Sequence, residues 1–206
     1  MCARPLRPAP WAISANPSLR SRSRTGYSRC STQSELQLNH RETEKRMATS
    51  ARISEAEVYR QHLDQTVEEV FGMMMGLPCS IVEEWPAEER ETISAVIGLA
   101  GAMSGACVLR AGESVAIRMA EHLTGMEITG LDPTVKDAVG EVCNMIAGAW
   151  KGKLPALASA CMLSTPTVVT GTSYELYPQR AEFRIERCYQ FESCAFSFTI
   201  FSEEIR

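Results

Sequence analysis

From about residue 54 the chain alternates between stretches in which apolar residues recur every three or four positions and stretches in which they alternate or run together, the mark of helices interleaved with strands. Tyr59, Leu63, Val67, Val70 and Met74 form the first helical stripe. Ser54 with Glu57 makes a capping box, Ile53 with Val58 a hydrophobic staple, and Gly76 ahead of Pro78 a stop. The run Met73 to Met75 suggests a pliable partner-binding surface or, as is commoner for methionine on an apolar helix stripe, core, and core is the expectation. TISAVIGLAG and AMSGACVLR, residues 92–110, are β-compatible runs joined at Gly101 and predict a hairpin. Gly98 and Gly105 inside them predict a bulge or the close approach of another element.

Gly112, Glu113 and Ser114 introduce a second helix through Val115, Ile117, Met119 and Leu123, ended by Gly125. Asp132 as N-cap and Pro133 at the first helical position open a third, running to about Lys151 before Gly152. The last third reads as strands: ACMLS, TPTVV, AEFRIERCY and SCAFSFTIF, with Phe183 and Ile185 alternating against Glu182, Arg184 and Glu186. Three helices with five or six strands imply an α/β fold, a two-layer sandwich of a mainly antiparallel sheet. No internal repeat stands out.

Charge divides the chain of 206 residues unevenly. Residues 1–46 hold nine Lys/Arg against three Asp/Glu, and residues 47–206 hold 12 against 22, giving a +6 tail and a −10 body. A body of that sign lacks the basic strip that neutralises a row of phosphates, which argues against nucleic acid and for cationic or locally basic partners. Residues 1–34, with six Arg, no acid and four Pro, are expected to be disordered. Such a tail imitates a transit peptide, or marks a start placed upstream of a true one at Met47. Every apolar stretch is interrupted by charge before it reaches membrane-spanning length, so no membrane segment is expected. The eight cysteines contain no CxxC pair and read as reduced, mostly buried thiols. His40, His62 and His122 have no metal-ligand spacing, so no metal site is expected. GxGxxG, Walker and GxSxG motifs are absent.

The third helix carries the chemistry. Val135, Ala138, Val139, Val142, Ile146 and Ala149 make its expected buried stripe, while Asp137, Glu141, Asn144, Gly148 and Lys151 share the opposite face. Glu141 and Asn144, three apart, are neighbours there. A mid-helix Asn competes for its own backbone, so its place on this face asks for an explanation, although an acid and an amide three apart, taken alone, also suit a plain solvated helix surface. Gly140 and Gly148 flank the pair.

The string GEVCNMIAG at 140–148, with IGLAGAMSG at 97–105 and STPTVVTG at 164–171, resembles the CheX chemotaxis phosphatases, of the group with CheC and FliY that dephosphorylates the response regulator CheY. The likeness runs over about residues 54–204, in the same order of elements, and makes residues 47–206 a CheX-like domain. It implies that Asn144 orients the attacking water and that Glu141 docks on the receiver's Lys. Asp137, Gly140, Gly148 and Lys151 then become candidate partner contacts. It further implies Mg²⁺ supplied by the phosphorylated CheY-like receiver and no cofactor of the chain's own, a homodimer through exposed sheet edges, and a bacterial cytoplasmic location. That last implication favours Met47 as the start over an import tail. CheC-like members carry a second motif on the first helix; here HLDQTVEEVFGMMMG offers no second Asn, leaving one site. Three other readings stay open: a non-catalytic receiver-binding module, a scaffold of a signalling or flagellar switch complex, and a thiol enzyme using Cys143.

Overall fold

The computed structural model describes residues 41, 47, 55–83, 91–172, 174, 176 and 181–205. The chain divides into two units, Met1–Glu44 and Lys45–Arg206. The disorder expected of residues 1–34, and Ser54 and Ile53 of the expected cap and staple, lie outside the described residues.

Helix α1 spans residues 55–70 and buries Tyr59, Leu63, Val67 and Val70, as its periodicity predicts. Its end departs from expectation. Phe71–Met75 form a π turn, closed by Gly76 in the left-handed region (φ 66°), whose N–H donates to the Phe71 carbonyl. The wider turn shifts the phase of the stripe by a residue. Met75 therefore reaches the core, and Met73 and Met74, expected there, are exposed.

Seven strands follow in one antiparallel sheet: β1 (Cys79–Val82), β2 (Glu91–Gly101), β3 (Met103–Gly112), β4 (Cys161–Leu163), β5 (Thr167–Thr172), β6 (Phe183–Phe191) and β7 (Cys194–Ile205). Helix α2 (Glu113–Thr124), helix α3 (Pro133–Gly152) and the short α4 (Pro155–Ala158) lie between β3 and β4. Strand β1 and helix α4 are additions to the sequence reading. Each is four residues long, too short to show a period.

The strand order is β1-β6-β7-β3-β2, with β4 and β5 both pairing β2 on its outer edge. It is the same read from either end: exchanging β1, β2, β3 for β5, β6, β7 returns the sheet to itself, with α1 leading one half and α3 the other. With β4 left aside, the topology is thus internally symmetric.

Register explains the core. Tyr189–Phe196–Ala111–Ile93, Arg187–Phe198–Leu109–Ala95 and Ile185–Ile200–Cys107–Ile97 are rows of direct partners across four strands. Because paired residues share a face, these rows point together under the helices, and all but Arg187 are buried. Arg184 and Glu186 alternate with them and are exposed, as the sequence pattern predicts. Arg187 is accommodated because Asp64 of α1 accepts from its Nε (3.1 Å) and Nη2 (2.6 Å), and also from the Tyr189 hydroxyl (2.8 Å). Burial first, then the Asp64 carboxylate, holds the Tyr189 phenol protonated far above its ordinary range. Phe71 stacks on Phe196 with centroids 5.0 Å apart.

The expected hairpin is β2–β3, turning at Gly101 (φ 110°), where a Cβ would lie 2.2 Å from the Ala160 carbonyl oxygen. Gly105 sits at a register shift between β3 and β7, pressed against the Phe201 carbonyl. Both of the expected reasons for glycine in these strands, a bulge and a close approach, are met.

Trp150 ties the helices together: its Nε1–H donates to the Tyr59 carbonyl (3.1 Å), and its ring meets the Tyr59 ring edge-on at 5.8 Å. Trp150→Ala is expected to destabilise the protein by about 3–5 kcal/mol, the range for emptying a buried aromatic site. Trp150→Phe, which keeps most of the ring volume and loses the hydrogen bond, is expected to cost about 1–2 kcal/mol. Urea unfolding of the two variants beside wild type measures both.

Candidate functional site

Helix α3 begins where the sequence places it. Asp132 Oδ1 accepts from the Val135 N–H (3.0 Å), and Pro133 occupies the first turn, where a missing N–H costs nothing. The helix runs through Gly152, and Lys153 caps it, its N–H reaching the Ala149 carbonyl (3.2 Å). Val135, Ala138, Val139, Val142 and Ile146 are buried as expected. Ala149 is not; it is exposed, and the next contact of the stripe is Trp150. From Val139 through Val142 and Ile146 the period arrives at position 150, and the indole fills the space towards α1.

Gly140, Asn144 and Gly148 lie in one i, i+4 row, and the two glycines show what that row faces. A Cβ on Gly140 would stand 3.3 Å from Pro166 Cβ and 3.5 Å from Val168 Cγ2; one on Gly148 would stand 3.9 Å from Leu163 Cδ1. The row therefore abuts the β4–β5 segment, residues 163–168, and Asn144 sits midway along that seam, partly buried. Glu141 lies one step round the helix and is exposed, as is Asp137 a turn earlier. Among the described residues neither Glu141 nor Asn144 is committed to a hydrogen bond or ion pair within the chain.

The wall beside Asn144 is pinned from below. Ser164 Oγ accepts from the Gly98 N–H (2.8 Å) and donates to the Thr165 carbonyl (2.9 Å). Side-chain reasoning on the sequence did not single out Ser164 or Pro166; the string STPTVVTG that contains them was the available signal.

Two of the expected contact residues have other duties. Gly140 is buried beside Pro166 and serves the packing of the helix against the β4–β5 segment. Lys151 Nζ donates to the Ala158 carbonyl (2.8 Å), closing the last turn of α4. Asp137 is on the open side, and Gly148 is half-buried at the seam. Cys143, between Glu141 and Asn144 in sequence, is fully buried, and its thiol points at the Ala95 carbonyl (3.5 Å). Burial pushes it up to about 12, which removes the thiolate that a nucleophile needs. Among the described residues no cluster of His, Cys, Asp and Glu could hold a metal ion, and no helix is long and apolar enough to cross a membrane.

Comparison with known proteins matches the family model "Chemotaxis phosphatase CheX" to residues 93–187, a span that contains all of α3 and the β4–β5 segment. The CheY-P phosphatase CheX of Thermotoga maritima is 28% identical over 115 residues, which is 54% of this chain and 72% of that protein. Among solved structures, chemotaxis protein CheX from Vibrio vulnificus superposes with a TM-score of 0.61 at 22% identity, over 70% of this chain and 96% of the other. A CheX–CheY–BeF3–Mg²⁺ complex from Borrelia burgdorferi gives 0.58 at 18% identity, over 71% and 98%. At those identities the structures show a shared fold.

The two glycines should respond oppositely to a methyl group. Gly148→Ala has room and gains helix propensity, and is expected to stabilise by about 0.5–1 kcal/mol. Gly140→Ala is expected to cost a net of about 1 kcal/mol or more, since the rigid Pro166 ring must move. Thermal unfolding of both variants is the check. Cys143 is expected to stay unmodified by a thiol reagent at mildly alkaline pH in the native protein and to react on unfolding, read by mass spectrometry.

Proposed function

This chain belongs to the CheC/CheX/FliY family of chemotaxis phosphatases, and from that membership we propose that it hydrolyses the aspartyl phosphate of a CheY-like response regulator, using Asn144 and Glu141. The observation that carries the reading is the seam on α3: an uncharged amide held beside a pinned loop, with a carboxylate projecting next to it.

The chemistry follows from the two side chains. Hydrolysis of an acyl phosphate needs a water held in line with the scissile bond. An Asn amide can accept from that water and donate to a phosphoryl oxygen, and it brings no charge to repel the phosphate. A carboxylate aimed at the phosphoryl group would repel it, so Glu141 is assigned to a cation at the rim, the receiver's Lys. Asp137, a turn away, adds negative charge to the same contact. The metal of the reaction is assigned to the receiver. Phosphate passes to water, and no covalent intermediate forms on this protein.

The proposal extends to a homodimer through the sheet edges, where β1 and the β4–β5 side end the ladder, and to a cytoplasmic site of action.

The test is the decay of phosphate from a phosphorylated CheY-like receiver with and without this protein. Wild type is expected to accelerate decay. Asn144→Ala is expected to lose about tenfold or more of that acceleration with an unchanged circular dichroism spectrum. Glu141→Ala is expected to raise the half-saturating receiver concentration while leaving more of the maximal rate. Near-normal activity of Asn144→Ala would overturn the assignment. Phosphorylation-dependent binding without acceleration would favour the non-catalytic receiver-binding module.

A further inference from the structure

Beside Asn144 the edge of the sheet breaks its own register. Leu99 of β2 pairs with Leu163 and Val96 pairs with Thr167, so Gly98 and Ile97 on β2 stand opposite Ser164, Thr165 and Pro166. The β4–β5 side is therefore an edge strand interrupted by a β-bulge. Ser164, at its start, still donates its N–H to the Gly98 carbonyl (2.9 Å). The return bond is made by the side chain: the Gly98 N–H donates to Ser164 Oγ (2.8 Å), and that hydroxyl donates in turn to the Thr165 carbonyl (2.9 Å). The Ser164 hydroxyl thus stands in for a backbone acceptor and fixes the peptide that leads into the bulge. Pro166, with no N–H to offer the ladder, suits the position that follows.

Bulges bend a strand and re-aim its side chains, and this one meets α3. A Cβ on Gly140, one turn before Asn144, would stand 3.3 Å from Pro166 Cβ. A helical side chain leans over the turn N-terminal to its own Cα, so Asn144 leans towards Gly140 and the Pro166 ring. Gly140 puts no side chain there, which leaves the space to the amide. Among the described residues no hydrogen bond ties that amide to the chain. Its orientation rests on packing, and its polar atoms stay free for a substrate.

We propose that Ser164 is a positioning residue: by fixing the bulge it keeps Pro166 against the Asn144 side chain and restricts the amide to the orientation that meets the attacking water. Ser164 acts through Pro166 and meets no reacting atom itself. The consequence for rate rests on the phosphatase reading, whereas the order of the amide rests on the bulge alone.

The experiment compares wild type, Ser164→Ala, Ser164→Thr and Pro166→Ala in the full chain. The first readout is the order of the Asn144 side-chain amide by NMR nitrogen relaxation, its signal identified by its loss in Asn144→Ala. The amide is expected to be ordered in wild type and in Ser164→Thr, which keeps the hydroxyl, and mobile on the nanosecond timescale in Ser164→Ala and Pro166→Ala. The second readout is the decay of a phosphorylated CheY-like receiver. Ser164→Ala is expected to lose about fivefold or more of the maximal acceleration with little change in the half-saturating receiver concentration, and Ser164→Thr to recover it. An amide equally ordered in wild type, Ser164→Ala and Pro166→Ala overturns the proposal, whatever the rates. A raised half-saturation at full maximal rate also overturns it, by assigning the bulge to docking. If wild type fails to accelerate decay, the phosphatase reading falls separately, and the order of the amide decides whether Ser164 positions Asn144.

Discussion

A helix with one open side has to take its rigidity from the side it hides, and α3 is built around that constraint. Between Asp132 at its cap and Lys153 at its end it buries Val139, Val142, Cys143, Ile146 and Trp150. Trp150 anchors it to α1 through the Tyr59 carbonyl, and Cys143 settles over Ala95 of β2. The open side has little packing of its own. What holds Asn144 in place is therefore the helix beneath it and the β4–β5 segment beside it. Gly140 makes the second of these possible: a larger residue would push Pro166 away and open the seam. The glycine weakens the helix by roughly 0.5–1 kcal/mol relative to Ala, and the apolar burial on the other side offsets that loss.

The symmetric strand order sets α1 against α3 as counterparts, and their ends read alike: EEVFGMMMG at 68–76 beside GEVCNMIAG at 140–148. Glu69 then corresponds to Glu141, Gly72 to Asn144 and Gly76 to Gly148. The structure gives these pairs different fates. Glu141 is uncommitted among the described residues, whereas Glu69 is bound to Lys153. Asn144 lies along a seam, whereas Gly72 has no side chain and stands in the open. The helix continues unbroken past Asn144, whereas α1 widens into a π turn at Phe71. One backbone plan thus carries a polar seam in one half and an exposed pair of methionines in the other.

Much of this was legible in the residues. Asp132 and Pro133 place the start of α3 because an N-cap and a first-turn proline satisfy local rules. Gly101 marks the hairpin because few other residues adopt its φ, and Phe183/Ile185 against Arg184/Glu186 mark a strand with one wet face. Glu141 and Asn144 share a face by spacing alone, while their roles came from family resemblance. What escaped was long-range or short. The duty of Gly140 depends on Pro166, which folding brings beside it from another element. The exposure of Met74 depends on a π turn, since a 3.6-residue period presumes an α-helix to its last residue. The exposure of Ala149 follows from Trp150, whose large ring takes the contact that a smaller residue next to it would have shared. β1 and α4 are too short to show a period at all.

Glu141, exposed, and Asn144, half-buried, also show where the energy of the proposed site must come from. In the free protein Glu141 is in water, where an ion pair is worth about 0–1 kcal/mol and side-chain order is costly. Charge-assisted contacts reach about 1.5–3 kcal/mol when the surroundings are dry, and each 1.36 kcal/mol of transition-state stabilisation corresponds to about tenfold in rate. The pair becomes strong only when a docked partner excludes water from the seam. A free phosphorylated small molecule would meet Asn144 in solvent and gain little, whereas a receiver domain covering α3 would supply the cation for Glu141 and the dry surroundings in one step. On the proposed reading, selectivity for a protein substrate would need no enclosed pocket; it would follow from leaving the site half-built on an open helix, so that the substrate's own surface completes it.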